Sequence, residues 1–285
     1  MALTINTNIA SLVAQRNLTS ATNSLNQAIE RMTTGYKINS AADNAAGYSI
    51  ATNWEVQLSS LDVAADNAAT GADMLTTMED TYSLITSHLQ RVRDLTEQAA
   101  NGTYGADSLT AIESEITARL QEIDRIAGNA EFNGIKLMDG TGDAATNGIN
   151  LQVGIKKDAN SQIALVADLF KKANVEGLFG SGKSASTVAT SCKSTPTDML
   201  DTIDGVIKSI SERVTKIGAA QNRVESAIEA IAVQSENVTS SLSTLRDADV
   251  AEESSKFIQS QILQQAAATL LSTANQTPSI ALNLI

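Results

Sequence analysis

The sequence predicts a mainly α fold: an elongated helical hairpin rod with long heptad-patterned helices and a small β-hairpin region at its tip. Three observations carry that reading. The 285 residues are 42% hydrophobic but only 3% aromatic, the Leu, Ile, Val and Ala palette of helix seams rather than of ring-filled globular cores. A heptad seam recurs near each end of the chain, and between the two the apolar period shortens to two.

The elements follow in order. Residues 1–35 carry only Arg16, Glu30 and Arg31 as charges, while Leu3, Ile5, Ile9, Leu12, Leu18, Leu25, Ile29 and Met32 recur at mainly helical spacings. In "SAADNAAG", Ser40 stands as the N-cap of a helix starting near Ala41. Its seam runs Leu61, Ala64, Ala68, Gly71, Leu75, Met78, Tyr82, Ile85, Leu89, Val92, Thr96 and Ala99, in spacings of three and four. "ANGTYG" at 100–105 stops it with two glycines. At 1.5 Å per residue such a helix is a rod on the order of 90 Å long. A shorter antiparallel helix shows Leu109, Ile112, Ile116, Leu120, Ile123 and Ile126 on one face.

The alternation Ile149, Leu151, Val153, Ile155 then reads as a strand, with "QIALVADL" as its hairpin partner across "KKDANS". The Gly, Ser and Thr rich stretch from Gly177 to Pro196 reads as a loop. Thr197 or Asp198 then caps a second rod through Ile203, Ile207, Ile210, Val214, Ile217, Val224, Ile228, Ile231, Val238, Leu242 and Leu245, with Gln221 and Ser235 the polar members of its seam. Long helices at both ends with short elements between them pair side by side, which places the middle of the sequence at one tip.

Charge and motifs narrow the function. The formal net charge of −12, with few basic clusters, argues against nucleic acid or an anionic membrane as the main partner. The N-terminus lacks the pattern of a secretory signal peptide, and no run reaches the roughly twenty apolar residues of a membrane span. Cys192 is the single cysteine and His88 the single histidine, and neither has a nucleophile, base or ligand cluster in its local sequence. Asp198, Asp201 and Asp204 crowd a first helical turn, where the macrodipole favours them, so no metal or other cofactor is expected.

"GLFGSGKS" (177–184) matches the phosphate-loop pattern letter by letter and makes a nucleotide-binding protein the rival reading. Such a loop needs a strand leading in and a helix opening at its Lys. "SASTVATSCKSTP" is poor helix material, which favours a surface turn and a protein without catalysis.

The last 29 residues, Phe257 to Ile285, hold no Asp, Glu, Lys or Arg. Ile258, Ile262, Leu263, Leu270 and Leu271 form an apolar stripe there, interrupted by Gln, Ser and Thr. Two nearly uncharged helices have too little apolar chain around them to be covered within one molecule, so neighbouring copies cover them.

"LTINTNIASLVAQRNL", "ERMTTGYKINSAADNAAGYSIA", "LQRVRDL", "EITARLQEIDRIAGNAEFNGIKLM" and "LRDADVAEESSKFIQSQILQQA" resemble the terminal regions of bacterial flagellins, over roughly residues 1–140 and 197–285. Tyr48 stands where the family commonly has a smaller aliphatic residue, and Trp54 is unusual in an otherwise aromatic-poor seam. The resemblance implies a structural, non-enzymatic subunit of a secreted, extracellular filament used for swimming, with a junction protein of the hook and filament as the alternative.

It also implies an inner-core helix at 1–40, a rod domain at 41–140 and 197–250, a short central region at 141–196 and a second inner-core helix at 251–285. The terminal helices would form an inner coiled-coil layer, disordered in the free monomer. Implied partners are further copies of the chain, a type III export apparatus, a cytoplasmic chaperone on the C-terminal helix, and junction and cap proteins. Gln90, Arg91, Leu95 and Glu115 match the surface that host Toll-like flagellin receptors grip and that meets the next subunit along the filament.

Overall fold

The structure, a computed structural model, describes residues 7–282, with side chains described through Gln276. It divides into two compact units, residues 59–235 and residues 1–58 with 236–285. Its helices are α1 (Ile9–Thr34), α2 (Ala45–Ala100), α3 (Ala106–Asn129), α4 (Gly142–Asn147), α5 (Val175–Phe179), α6 (Ala185–Ser194), α7 (Pro196–Arg246) and α8 (Val250–Leu282).

Residues 59–235 are built on the α2 seam. Every position read from the heptads, Leu61 through Ala99, is buried, and Met74 and Leu95 join them. Burying a Leu, Ile or Met side chain is worth about 1.5–3 kcal/mol, so a stripe this long holds the helix against its neighbours despite Gly71. From α7 it meets Ile203, Val206, Ile210, Ile217, Val224 and Ile231.

Polar bonds at the margins of that seam fix the direction of the pair. Arg93 Nε donates to Asp204 Oδ1 at 2.6 Å, Arg213 Nη1 to the Tyr82 hydroxyl at 3.4 Å, and Gln221 Nε2 to Glu79 Oε2 at 2.9 Å. Position rises on α7 as it falls on α2, so the two run antiparallel. The polar seam residue Gln221 is thereby satisfied.

α3 returns along α2 with Ile112, Ile116, Leu120 and Ile123 buried. β1 (Glu131–Phe132) and β2 (Ile135–Lys136) follow as a hairpin around Asn133 and Gly134, whose φ of 48° and 79° suit the Asn-Gly turn. The sequence reading passed over this hairpin, although Asn-Gly between "EF" and "IK" signals it. β3 (Ile149–Gln152) pairs antiparallel with β4 (Gln162–Leu165) in the register Ile149 to Leu165, and Ile155 lies beyond the ladder, exposed.

Three local expectations need correction. The stretch 177–196 is not a loop: α5 and α6 occupy most of it. α6 forms because Ser184 and Thr187 make a reciprocal capping box and because Val188, Ala189 and Cys192 recur on one buried face. That tertiary contact outweighs the weak propensities of its Ser and Thr residues. α6 is held on α3 by Lys193 Nζ to Glu113 Oε2 at 2.8 Å and Thr190 Oγ1 to Glu113 Oε1 at 2.9 Å.

α2 starts at Ala45, because Asn44 takes the cap and accepts from Gly47 N at 2.9 Å. Ser40 instead sits in a turn closed by Asp43, whose carboxylate accepts from the Ser40 N–H and hydroxyl. α7 starts at Pro196, suited to a first helical position where no N–H is needed, so neither Thr197 nor Asp198 caps it.

In the other unit, α1 and α8 run antiparallel. Asn8 Nδ2 donates to Ala274 O at 2.7 Å, Gln264 Nε2 to Thr22 Oγ1 at 3.1 Å, and Arg31 Nη1 meets Glu253 Oε1 at 3.4 Å. The segments leading out of α1 and into α8 are stitched together by Lys37 N to Arg246 O at 2.7 Å and Ala248 N to Gly35 O at 2.8 Å. Arg246 is the centre of that stitch. Its guanidinium lies 4.3 Å from the Tyr36 ring centroid, its Nε donates to Ile38 O at 3.3 Å, and it pairs with Glu55.

Candidate polymerisation surface

The two terminal helices meet through small residues. On α1 the buried positions are Ala14, Ala21 and Ala28, and on α8 Glu253, Ser260 and Ala267, both sets repeating every seven residues. A heptad of Ala and Ser lets the backbones approach closely, and it turns the large side chains outward. Ile258 is 54% exposed, Ile262 60%, Leu263 52% and Leu270 64%. Ile9, Leu12 and Ile29 on α1 are also exposed, whereas Leu18, Leu25 and Leu271 are half-buried. Leu3 and Ile5 lie outside the described residues.

Between the helices runs a groove of about 670 Å³, floored by Ala14, Ala21, Ala28 and Ala267 and edged by Leu263 and Leu270. Charge stands only at one end of it. Glu253, with a side chain 6% exposed, is shared by Arg31 and by Lys256 at 3.0 Å, and Lys256 reaches Glu252 at 2.8 Å. The hydrogen bonds that Lys256 donates to Glu252 and Glu253 raise its pKa, so the ammonium is secure at neutral pH. Past Lys256 the chain carries no ionisable side chain, and its polar groups are amides and hydroxyls such as Asn275, whose Oδ1 accepts from Ser11 Oγ at 2.7 Å.

On the unit of residues 59–235, Gln90 and Arg91 are exposed beside the half-buried Glu115, with Arg91 Nε on Glu115 Oε1 at 3.0 Å and Arg119 3.8 Å from the same carboxylate. Leu95, read with them, is 1% exposed and supports this surface from beneath rather than forming it. Its seam position explains why: Leu95 follows Val92 by three residues on the buried side of α2. His88 is half-buried and its Nδ1 has no hydrogen-bond partner.

The phosphate-loop pattern takes another form in space. Gly177 lies inside α5, so a helix and not a strand leads in, and the Ser184 hydroxyl is engaged in capping α6. Burial pushes the Cys192 thiol pKa up, which disfavours the thiolate. Among the described residues, no group of three or more His, Cys, Asp or Glu is placed to hold a metal ion, and no helix is long and apolar enough to cross a membrane.

Helices that expose large apolar side chains on a nearly uncharged surface define a subunit of a self-associating assembly. The comparisons name the assembly. The bacterial flagellin N-terminal helical region model matches residues 5–143, and the C-terminal helical region model matches residues 200–285. A flagellin of Listeria innocua is 33% identical over 99% of both chains, and one of Bacillus subtilis is 35% identical over 99% of this chain. Polar flagellin F of Vibrio parahaemolyticus is 30% identical over the whole of both. The chain belongs to the bacterial flagellin family and is a structural subunit of the flagellar filament.

Proposed function

We propose that the outward faces of α1 and α8 are the surfaces through which copies of this chain pack in the filament, as an inner layer of terminal helices. The observation that carries this is the inversion at the helix pair, where alanines are spent inside and Ile258, Ile262, Leu263 and Leu270 stand out in water. A head-to-tail contact between unlike surfaces that does not close on itself gives an open helical polymer. In such a lattice a buried charge would recur at every subunit, and uncharged Gln, Ser and Thr avoid that cost while still hydrogen-bonding.

The test is Leu270→Asp. The site is 64% exposed in the single chain, so the variant should melt within about 0.5 kcal/mol of the parent. In the polymer the carboxylate sits desolvated beside its copies, at a cost on the order of several kcal/mol per subunit. Seeded polymerisation, followed by sedimentation, should stop at neutral pH and recover in part under mild acid, where the carboxylate is neutralised. Normal growth of the variant at neutral pH sinks the proposal.

The finer partners belong to the same reading. The family resemblance, together with the uncharged stretch of α8 past Lys256, supports passage through a type III export apparatus with a chaperone on the C-terminal helix, delivery to an extracellular filament, and contact with junction and cap proteins. Gln90 and Arg91, exposed beside the half-buried Glu115 in one patch, support the axial contact and its use by a host Toll-like receptor. A pull-down with Arg91→Ala and Glu115→Ala chains tests the receptor part separately from polymerisation.

A further inference from the structure

The chain contains three Asn-Gly pairs, at Asn101, Asn133 and Asn147. Asn-Gly is the dipeptide in which a side-chain amide is most easily lost, because no Cβ on the second residue shields its main-chain nitrogen. All three asparagines are exposed, so access does not separate them. The backbone does.

Asn147 is the last residue of α4, and the Gly148 N–H is tied to Ala144 O at 3.0 Å. Asn133 and Gly134 form the two-residue turn of the first hairpin, pinned by the Phe132 to Ile135 pair on either side. Asn101 and Gly102 belong to the connection between α2 and α3, in neither helix nor strand. The bonds that hold Asn101 are long: its N–H to Gln98 O at 3.2 Å, Thr103 N to its Oδ1 at 3.3 Å, and Tyr104 N to its carbonyl at 3.4 Å. The bond from Thr103 N draws the Asn101 side chain back along its own chain, toward the residue two positions on.

We propose that Asn101 is a site of spontaneous, fold-selected deamidation. The Gly102 main-chain nitrogen, giving up its proton to base in water, attacks Asn101 Cγ. A C–N bond forms, the bond from Cγ to Nδ2 breaks and ammonia leaves, which closes a succinimide ring. Water then opens the ring at one carbonyl or the other, giving an aspartyl or an isoaspartyl residue with no redox change. The product places a carboxylate at the C-terminal end of α2, where the helix dipole disfavours it, and the isoaspartyl form adds a methylene to the main chain of the connection.

The experiment incubates the full chain in mildly alkaline and mildly acidic buffer and quantifies the three sites by peptide mass spectrometry, with protein isoaspartate methyltransferase as a labelling probe. Asn101 should convert severalfold faster than Asn133 and Asn147, faster in alkali than in acid. In concentrated urea the three rates should converge, since the selectivity comes from the fold. Gly102→Ala has open space for its Cβ, so it should retain the helical signal and slow Asn101 severalfold, leaving the other two unchanged. Conversion of Asn133 or Asn147 as fast as Asn101 in the native chain, or selectivity that survives urea, would overturn the proposal.

Discussion

Gly148 joins α4 to β3 at φ 74°, and a Cβ there would run into the carbonyl oxygen of Leu165 on the paired strand. Two costs coincide, a left-handed backbone and an overlap with main chain that cannot step aside. Gly148→Ala should lower stability by about 1–3 kcal/mol, read as a shift of the thermal melt, whereas Gly105→Ala, with open space around its Cβ, should shift it far less. Asp168 is the second residue with a defined signature. Hydrogen bonds from Lys171, at 2.5 Å, and from Lys216 lower its pKa from 3.8 to about 2. A folded pKa below the unfolded one contributes stability above the unfolded value and loses it as pH falls through the folded one. The loss therefore lies between 3.8 and about 2, and in Asp168→Asn the pH dependence of the melt should flatten there. The carboxylate is 35% exposed, so the effect is small and should fade further in salt.

At the scale of elements, the helix pair and the helical core of residues 59–235 answer to different side chains. Leu61 through Ala99, Ile112 through Ala127 and Ile203 through Ile231 share one buried cluster that, among the described residues, uses nothing from α8. Removing residues 257–285 should therefore leave a soluble chain that keeps most of its far-ultraviolet helical signal and does not polymerise. Loss of most of that signal would mean that α8 is needed for the core itself. Inside the pair, Ala28 is 3% exposed in a seam of small residues. Ala28→Leu overpacks it and should cost about 1–3 kcal/mol, seen as faster hydrogen exchange in α1 and α8 with α3 unchanged. α6 rests on its cap as well as on its buried face, so Ser184→Ala should cost about 0.5–2 kcal/mol.

For the whole molecule, each subunit brings a formal charge of −12 to the filament, and assembly concentrates like charges. The packing surface proposed here is almost uncharged, so salt has few attractive ion pairs to weaken between copies and much repulsion to screen. The critical concentration for seeded growth should fall as sodium chloride is raised through the range where the Debye length shrinks from about 30 to about 8 Å. A rise instead would show that ion pairs such as Arg91 with Glu115 exchange partners between subunits and dominate assembly.

Much of the architecture was legible in the residues because it rests on periodicity. The seam from Leu61 to Ala99 is buried at every position read, and the alternation at Ile149, Leu151 and Val153 marks the paired strand, since a helix or strand must turn its apolar face inward wherever it packs. The stripe on α8 was equally visible, because an uncharged run of Ile and Leu needs no partner to be recognised. What the sequence did not settle was which face the terminal helices give each other. Side-chain size alone points to the leucines, but the pair closes through Ala14, Ala21, Ala28, Ser260 and Ala267, in the rotation that the bonds between distant residues, Asn8 to Ala274 and Gln264 to Thr22 among them, hold. The tertiary fold likewise decided that "SASTVATSCKS" is a helix, because its propensity is weak and its burial of Val188, Ala189 and Cys192 depends on α3 being there to receive them. Local pattern determines where apolar faces lie, and the packing of distant segments determines which of those faces remain for another molecule.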